Sequence, residues 1–504
     1  MRKILLTLSI ASLVALVAAW PADAGSNDFR FYGGGFGHGL GMSQWGAYGL
    51  AKQGWGADRI LTHFYSKTRV KKDDAPPGHL RIGLVQGAGK IRLEAEKGPV
   101  RLRLGAPRSG DLVGTIASGD TWIVREANER FKLIDASGKV VGKVGDPSTD
   151  LFLDYRKSMV RIPEAGHRYN RGSIALALYD CGGSSCSIRL VLTITPQEYL
   201  YGLGEVPSSW PMAAMKTQAI AARTYAFTKA AAGQHRTGCD CALYASSYDQ
   251  VYAGYDKEGG TDGDRWVNAV DATNRQIVAY QGRSIQAFYM SSSGGFTEDN
   301  ENVWGGTAIP YLRGVCDPGD YTTANPNATW IVSQPASDVT QELSLGIGTV
   351  TRFTKTKRGV SGRIISTTVK GQNGSATISG ATLRSDLGLL DDRVWIDANR
   401  LVTGAIRQKY DALDCSPGLA TSRQVKVAGG LRQRFEDGAI YQSDSTGAHL
   451  LWGDLLDFYG NRGGPGGSLG FPIGDQATLS NGGTRARFEH GVVKCTPAGS
   501  CRIV

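Results

Sequence analysis

After residue 24 the sequence lacks any apolar run long enough to cross a membrane, which excludes a protein built from several membrane-spanning helices. The one long apolar run, Ile4 to Ala19, has about 16 residues and follows the basic pair Arg2-Lys3. The small residues of Ala22-Asp23-Ala24 come next and are typical of a cleavage site. We therefore expect residues 1–24 to be a signal peptide and the mature protein to be soluble outside the cytoplasm. A retained membrane anchor is the alternative.

Proline is scarce, with 18 residues in 504, whereas glycine is abundant, with 68, so turns are frequent. Hydrophobic residues make up 41% of the chain and aromatic residues 9%, a composition that supplies a core and excludes a disordered protein. At about 150 residues per domain, the length predicts two or three domains.

An acidic excess is also missing, since the whole chain has a formal charge of +10. Removing residues 1–24 takes away Arg2, Lys3 and Asp23 and leaves 54 basic and 45 acidic residues, or +9. A basic surface favours polyanionic partners. Export argues against nucleic acid, so we expect extracellular polymers that carry phosphates or carboxylates. A charge that serves only solubility is the alternative.

The eight cysteines are even in number, which in an exported protein predicts disulfide bonds. Eight cysteines allow 105 connectivities, among which the spacing suggests Cys181–Cys186 across a hairpin, Cys495–Cys501 in the same way and Cys316–Cys415 across a longer loop. The remaining two, Cys239 and Cys241, could bind zinc together with His235, but these three residues lack the usual Cys-x2-4-Cys spacing. We expect a disulfide there and no cofactor, with zinc as the alternative.

One carboxylate, Glu205, precedes a long alanine-rich segment that starts near Pro211 and ends near Gly233. Proline suits the first position of a helix, and glycine is a common stop. Either Ser208 or Ser209 is expected to cap the helix. A stripe of small and apolar residues at helical spacing lets another backbone approach closely: Met212, Met215, Ala219, Ala222 and Ala226.

Glu205 itself has two interpretations. It could be a solvated loop carboxylate, as most carboxylates are. Alternatively it is an acid/base group beside the N-terminus of a rigid helix, where the helix dipole favours its charged form.

Four sequence blocks resemble the sporulation stage II protein D / LytB amidase-enhancer family. They are Gly35-Phe36-Gly37-His38-Gly39-Leu40-Gly41-Met42-Ser43-Gln44-Trp45-Gly46-Ala47, Glu205 with the run from Ala214 to Ala226, Asp249-Gln250-Val251-Tyr252-Ala253-Gly254, and the segment from Ser293 to Leu312 with Ser-Gly-Gly, Val-Trp-Gly-Gly and Pro-Tyr-Leu. Any one block is a moderate signal, and the four together are a strong one.

The block order departs from that of the better-known relatives, in which the Gly-His-Gly-x-Gly-Met-Ser-Gln block comes last. Here it comes first, and the segment that normally precedes it resembles residues 379–389 near the other end. This order indicates a circular permutation, which requires neighbouring chain ends. We therefore expect residues 30–70 to fold back against residues 380–398.

The resemblance implies a lytic transglycosylase that cleaves peptidoglycan glycan strands, preferably those stripped of their peptides. Such an enzyme breaks the bond between N-acetylmuramic acid and N-acetylglucosamine and forms a 1,6-anhydro sugar. Glu205 matches the family's catalytic glutamate, and its pKa must be raised for acid catalysis near neutrality. We expect Trp210 or a neighbouring aromatic residue to contribute to that desolvation.

The other blocks are expected to supply the sugar cleft. The candidate substrate-binding residues are His38, Ser43, Gln44, Gln250, Tyr252, Tyr289 and Ser293, although a structural hydrogen bond is an equal alternative for each. Arg223 is expected to be a buried partner for a carboxylate or for carbonyls. Glu298 is the reserve candidate for the catalytic carboxylate.

A second function in the same family is a non-catalytic wall-binding protein that enhances a separate amidase. A third and weaker possibility is a zinc-dependent hydrolase. The expected partners are peptidoglycan glycan strands, with a cell-wall amidase and other envelope polymers as further possibilities and no nucleic acid. The protein is expected to be secreted or associated with the cell wall.

The alternation of apolar residues predicts strands over residues 80–85 and 100–104, and a helix is expected over residues 58–65. We expect an α+β fold with a catalytic domain over residues 25–403. Its parts are the permuted block at 30–70, a β-rich part at 79–195, and the helix with a mixed region at 196–403.

The end of the chain has an internal repeat, because Phe435-Glu436-Asp437-Gly438 returns 53 residues later as Phe488-Glu489-His490-Gly491. These sequences, with Leu469-Gly470-Phe471-Pro472, resemble LGFP repeats of secreted and wall-associated proteins. The resemblance implies a small β-rich region at 404–504 that binds the wall. A structural appendage without a ligand is the alternative.

Overall fold

The computed structural model describes residues 28–183 and 185–504. The predicted signal peptide, residues 1–24, lies outside the described residues. Helices make up 21% of the structure and strands 37%, which confirms the α+β class. Within the described part of the chain, no helix has the length and apolar character needed to cross a membrane.

The helices are short, apart from one that lies at the centre of the fold. They are α1 Gln44–Lys52, α2 Ala57–Phe64, α3 Pro196–Tyr201, α4 Met212–Ala232, α5 Tyr255–Glu258, α6 Gly263–Ala272, α7 Asn300–Val303, α8 Ala336–Leu343, α9 Gly380–Asp386, α10 Gly404–Ala412 and α11 Gly453–Gly460. The helix expected over residues 58–65 is thus confirmed as α2, one residue earlier.

The central helix α4 is buried on most of its surface, because its alanines let α1, α2 and α6 pack closely against it. It ends at Gly233 as expected. The expectation that Ser208 or Ser209 caps it is wrong, since Pro211 is the N-cap and no side chain accepts a hydrogen bond there. Arg265 of α6 instead binds the carbonyls of Ser208 and Trp210, which fixes this loop against α6.

Two sheets share the largest hydrophobic core of the protein. The seven-stranded sheet has the spatial order Leu243–Tyr244, Leu80–Ala88, Ser185–Ile194, Ser173–Gly182, Leu151–Asp154, Val100–Leu104 and Asp111–Ile116. The six-stranded sheet has the order Val140–Val144, Phe131–Ile134, Thr121–Glu126, Lys90–Lys97, Met159–Ile162 and His167–Tyr169. Both strands expected from the alternating pattern are present.

Smaller sheets complete the first four hundred residues. They comprise Trp330–Pro335 with Asp28–Gly33 and Val394–Ile396, Arg283–Ser284 with Gln276–Tyr280 and Arg69–Lys72, Tyr289–Met290 with Met42–Ser43, and Val350–Arg358 with Ile364–Gly371 and Ser375–Ser379. The pairing of Met42–Ser43 with Tyr289–Met290 is parallel. It brings the first sequence block beside the mixed region at residues 196–403.

Segments near the two ends of the predicted catalytic domain meet in one sheet. Strand Asp28–Gly33 is central in it, with Trp330–Pro335 on one side and Val394–Ile396 on the other, both antiparallel. The amide of Gly37 also donates to the carbonyl of Leu390 at 3.3 Å. The expectation that residues 30–70 fold back against residues 380–398 is therefore confirmed.

The C-terminal region contains two similar four-stranded antiparallel sheets. The first comprises Val425–Val427, Gly430–Phe435, Gly438–Ser443 and Gly447–Leu451, and the second Ala477–Thr478, Thr484–Phe488, Gly491–Cys495 and Cys501–Ile503. Glu436 accepts a hydrogen bond from the amide of Leu419, and Glu489 accepts the equivalent one from the amide of Phe471. The sequence repeat is therefore also a repeat of structure.

The four expected disulfides are present, and three of them are Cys181–Cys186, Cys316–Cys415 and Cys495–Cys501. The Cys316–Cys415 bond closes the longest loop, with a sequence separation of 99 residues, and connects the segment after α10 to the segment before the loop at Asp317. Cys239 and Cys241 form a fourth disulfide.

Candidate functional site

A cavity of about 700 Å³ lies where the four sequence blocks meet. The first block contributes His38 and Gln44, and the loop before α4 contributes Glu205. The remaining wall consists of Phe36, Gly37, Tyr225, Lys229, Ser247, Tyr248, Asp249, Val251, Phe288, Tyr289, Met290, Ser291, Trp304 and Arg384. Four residues predicted for the site, His38, Gln44, Glu205 and Tyr289, are thus brought together at one surface.

Glu205 is fixed in this cavity by donors on both carboxylate oxygens. Gln44 Nε2 donates to Oε2 at 3.1 Å, and the amide of Val251 donates to Oε1 at 2.6 Å. Burial raises the pKa of Glu205, while the hydrogen bonds from Val251, Gln44 and Tyr289 act in the opposite direction. The solvated-carboxylate interpretation therefore does not describe this residue.

Tyr289 and Gln250 form a chain of hydrogen bonds next to Glu205. Gln250 Nε2 donates to the Tyr289 hydroxyl at 2.9 Å and to the carbonyl of Ala222 at 3.2 Å, and its Oε1 accepts from the Tyr199 hydroxyl at 3.0 Å. Since Gln250 uses its amide protons on these acceptors, the Tyr289 hydroxyl proton is free to point at the Glu205 carboxylate. Gln250 acts here through Tyr289 and does not line the cavity.

His38 also lines the cavity, and it is neutral. Its pKa is lowered to about 4 by burial and by the charges of Arg363 and Arg384. Nδ1 accepts a hydrogen bond from the amide of Leu40 at 3.1 Å, so the ring proton is assigned to Nε2. The ring lies 5.1 Å from that of Trp304.

Ser43, Tyr252 and Ser293 are buried behind the cavity wall, which differs from the direct substrate contact that we expected. Ser43 caps α1 through the amide of Gly46 and donates to Asp320 at 2.9 Å. The Ser293 hydroxyl donates to Asp317 at 2.6 Å. The ring of Tyr252 stacks on that of Tyr199 at 5.1 Å. These residues, with Gln250, support the residues that line the cavity.

The reserve carboxylate, Glu298, has a structural environment. It accepts hydrogen bonds from the amides of Val360 and Ser361 and from the Ser361 hydroxyl, and it does not line the cavity. Arg223 is buried and donates to the carbonyls of Gln276 and Val270, which confirms its expected role.

The expected contribution of Trp210 to the desolvation of Glu205 takes a different form. Trp210 packs against Trp45 and Tyr48, with ring centroids 4.8 and 5.1 Å away, and it lies outside the cavity lining. The aromatic side chain at the carboxylate is Tyr289.

Sequence reasoning missed Asp249, although it heads one of the four blocks. Its buried carboxylate accepts from the Tyr225 hydroxyl at 2.9 Å and pairs with Arg236 at 2.6 Å and Lys229 at 3.1 Å. Burial raises the pKa of Asp249, but hydrogen bonds from the amide of Tyr244, Lys229, Arg236 and Tyr225 together lower it. The Asp249 carboxylate is therefore ionised, and the charges of Arg236 and Lys229 balance its own. Its hydrogen bonds hold this part of the cavity wall in place.

Exposed aromatic side chains at the cavity were also missed. Tyr248 is 72% exposed, Trp304 54% and Phe36 41%, and all three line the cavity. Large aromatic side chains seldom stay this exposed without a partner, and flat rings of this kind suit contact with the apolar faces of sugars. Aromatic residues within or next to the glycine-rich blocks were the sequence feature that could have predicted this exposed aromatic surface.

The residues considered for zinc do not fit a metal site. The sulfurs of Cys239 and Cys241 are bonded to each other, and the exposed His235 ring hydrogen-bonds Asp240 at 2.5 Å. A second group of metal-type side chains, Cys316, Asp411 and Cys415, also has its two sulfurs joined. A disulfide sulfur has no thiolate to offer as a ligand.

Comparison with known proteins agrees with the sequence blocks. A family model described as "Stage II sporulation protein" matches residues 184–280, and one described as "LGFP repeat" matches residues 418–467. The first contains Glu205, α4 and Gln250, whereas His38, Gln44 and Arg384 lie outside it.

Two relatives from Bacillus subtilis (strain 168) are similar over parts of the chain. The chain is 35% identical to the "Amidase enhancer" over 129 residues, which is 26% of this chain and 16% of the relative. It is 30% identical to "Stage II sporulation protein D" over 209 residues, which is 40% of this chain and 59% of the relative. The similarity thus covers less than two thirds of each relative. The chain therefore contains a segment that matches the stage II sporulation protein family model, residues 184–280, and an LGFP repeat segment at residues 418–467.

Proposed function

We propose that this protein acts on the bacterial cell wall as an exported lytic transglycosylase that cleaves peptidoglycan glycan strands. The substrate is a strand of alternating N-acetylmuramic acid and N-acetylglucosamine, and the product ends in 1,6-anhydro-N-acetylmuramic acid. Glu205 is the acid/base group.

The observation that carries this proposal is the state of the two carboxylates in the cavity. Asp249 is neutralised by two cations and its pKa is lowered, whereas no cation pairs with Glu205 among the described residues and its pKa is raised by burial. Hydrolysing glycosidases use two working carboxylates. One free carboxylate fits a reaction in which the sugar supplies its own nucleophile.

The steps follow from that single group. Protonated Glu205 donates its proton to the glycosidic oxygen as the bond from this oxygen to C1 of the muramic acid breaks. The resulting Glu205 carboxylate accepts the proton of the 6-hydroxyl of the same sugar, whose oxygen forms a bond to C1. Glu205 regains its proton, and no water is consumed.

Gln44 and the amide of Val251 orient the carboxylate in this scheme, since each binds a different oxygen. They also stabilise its charged form after proton donation, which keeps the pKa within a range that allows both steps. The exposed rings of Phe36, Tyr248 and Trp304 would contact the sugar faces on either side.

The remaining parts of the molecule suit work at the cell wall. A formal charge of +10 favours association with anionic wall polymers. The LGFP repeat region at residues 418–467 would retain the protein at the wall, in keeping with its resemblance to repeats of wall-associated proteins.

An alternative function is supported by the relative named "Amidase enhancer", which is 35% identical over 129 residues. In that role the protein would bind the wall and stimulate a separate amidase without cleaving glycan. Glu205 would then be dispensable.

The test compares wild-type protein, Glu205→Gln and Glu342→Gln on glycan strands stripped of peptides, with products analysed by mass spectrometry. Glu342 is exposed on α8 and serves as the matched control. We expect anhydro-ended fragments from wild type and Glu342→Gln, and none from Glu205→Gln. Intact glycan with all three proteins, together with retained wall binding, would support the amidase enhancer instead.

A further inference from the structure

Among the basic side chains that line the cavity, Arg384 differs from Lys229 and His38. Lys229 forms its ion pair with Asp249, and His38 is neutral because burial and the charges of two arginines lower its pKa to about 4. Arg384 also lines the cavity, yet within residues 28–183 and 185–504 its side chain has neither an ion pair nor a hydrogen bond to protein. A guanidinium facing open space in a binding cavity is available to an anion.

The neighbouring acidic residues do not neutralise Arg384. Asp391 accepts from Arg363 at 2.9 Å, and Asp392 lies 3.6 Å from the same guanidinium. The charge of Arg384 influences the pKa of both His38 and Asp392, so it lies near the wall that carries His38. Arg363 thus occupies the local carboxylates and leaves Arg384 unpaired.

The fold positions Arg384 through the permuted junction. Arg384 lies in the last turn of α9, which packs on strands Ile364–Gly371 and Ser375–Ser379. The segment that follows α9 leads into Val394–Ile396, which pairs with Asp28–Gly33 at the start of the first block. The residue is therefore held at the cavity by both ends of the domain.

We propose that Arg384 forms a subsite for a sugar carboxylate, namely the lactyl carboxylate of a muramic acid residue bound beside Glu205. This assignment rests on the proposed function for the identity of the sugar. Arginine suits the task because its planar guanidinium binds a carboxylate through two parallel hydrogen bonds. The lactyl carboxylate is free only where the peptide has been removed, because a peptide converts it to an amide.

This subsite makes Arg384 a residue that selects stripped glycan over peptide-bearing glycan. An amide at the same place offers a neutral acceptor and loses the charge-assisted part of the interaction. When a simple amide replaces the carboxylate, the discrimination follows from charge alone, since the two groups have nearly the same shape. It requires no separate peptide-binding pocket.

The experiment uses two forms of one substrate, stripped glycan with free lactyl carboxylates and the same glycan after chemical amidation of those groups. The kcat/KM ratio of the two forms is measured for wild type, Arg384→Gln, Arg384→Lys and Arg352→Gln. Arg352 is an exposed arginine on strand Val350–Arg358, outside the cavity, and controls for the loss of one positive charge.

For wild type and Arg352→Gln we expect a ratio on the order of tenfold or more in favour of the carboxylate form. Arg384→Gln is expected to bring the ratio close to one, with Arg384→Lys in between. A ratio in Arg384→Gln that equals the wild-type ratio would overturn the assignment, as would a wild type that does not distinguish the two forms.

A binding measurement separates this inference from the proposed reaction. Glu205→Gln and the double variant Glu205→Gln/Arg384→Gln are titrated with both glycan forms, and affinity is read without turnover. If wild type cleaves nothing but the carboxylate preference in binding disappears with Arg384, the subsite stands and the transglycosylase reaction falls. If wild type cleaves glycan but every variant binds the two glycan forms equally, the transglycosylase reaction stands and the Arg384 subsite falls.

Discussion

Gln44 Nε2 donates a hydrogen bond to Glu205 Oε2 at 3.1 Å, and the two residues are 161 positions apart in the sequence. Gln44 begins α1, whose cap is Ser43, and Glu205 lies in the loop between α3 and α4. The packing of α1 against α4 brings the two together. One amide thus joins the first sequence block to the acid/base group.

Replacing Gln44 with alanine tests this bond. The bond stabilises the charged form of Glu205 and so lowers its pKa, which burial otherwise raises. Its loss is therefore expected to raise the pKa of Glu205 further, because one donor to the charged form is removed. Because the protonated acid starts the reaction, the alkaline limb of the kcat/KM profile against pH moves upward. An unchanged limb in Gln44→Ala would contradict the assignment.

Substituting Trp304 with alanine tests the exposed aromatic surface. Its ring is 54% exposed and packs on Phe288 at 4.6 Å, so the change removes a sugar-facing surface without opening the core. Loss of one such contact, worth about 1 kcal/mol, is expected to raise KM roughly fivefold to tenfold with a smaller change in kcat. Leu112→Ala, at an exposed residue of the β-rich part, is the control. A KM equal to that of wild type would exclude Trp304 from binding.

The buried carboxylates of Asp317 and Asp320 predict an unusual dependence of stability on pH. Burial and the charge of Asp320 hold the pKa of Asp317 well above its ordinary value of 3.8. The folded state therefore binds the proton more tightly than the unfolded chain. The stability that this proton supplies is complete below pH 3.8 and is lost as the pH rises through the folded pKa.

Asp317→Asn removes this titration and is expected to raise the free energy of unfolding near neutral pH by roughly 1 kcal/mol or more. The gain should shrink as the pH falls toward 3.8, where the wild-type carboxyl is already protonated. Denaturant unfolding at both pH values measures it, with exposed Asp338→Asn as the control. A variant less stable than wild type at neutral pH would mean that Asp317 is ionised and paired, for which Arg407 is the nearby cation.

Metal removal is expected to leave the activity unchanged. The sulfurs of Cys239 and Cys241 are joined, and the loop is fixed by Arg236, which binds the carbonyl of Ala242 and Asp249. Treatment with a chelator should therefore keep kcat/KM within error of the untreated protein, whereas reduction of the disulfide should lower it by loosening Asp249. Activity lost with the chelator and restored by zinc would support the zinc-dependent hydrolase.

The sequence was sufficient where a pattern depends on local physics or on pairing. Strands Leu80–Ala88 and Val100–Leu104 follow from alternation and α4 from its alanine-rich stripe, and the positions of the cysteines suggest the four disulfides. The meeting of residues 28–33 with residues 394–396 followed from the changed block order. Each of these features is predicted by a pattern within one segment or by the relative positions of two segments.

The cavity could be predicted only in part, because a residue type does not say which way its side chain faces. Ser43 and Ser293 belong to the sequence blocks as His38 does, but their hydroxyls serve the buried carboxylates of Asp320 and Asp317. The network around Asp249 joins residues of α4 to a later loop, and no spacing rule reveals it. Such assignments depend on tertiary packing, which the local pattern does not encode.

The strand Asp28–Gly33 is central in a sheet whose other two strands are synthesised much later. Asp28–Gly33 emerges from the ribosome early, but its two neighbours end at residues 335 and 396. Before these two strands have been synthesised, the cavity that Gln44 lines is incomplete, because Arg384 and the strands beside the first block are missing. A chain synthesised from its N-terminal end therefore assembles its cavity only after residue 396 has been made, so that a copy truncated before this residue lacks a finished site.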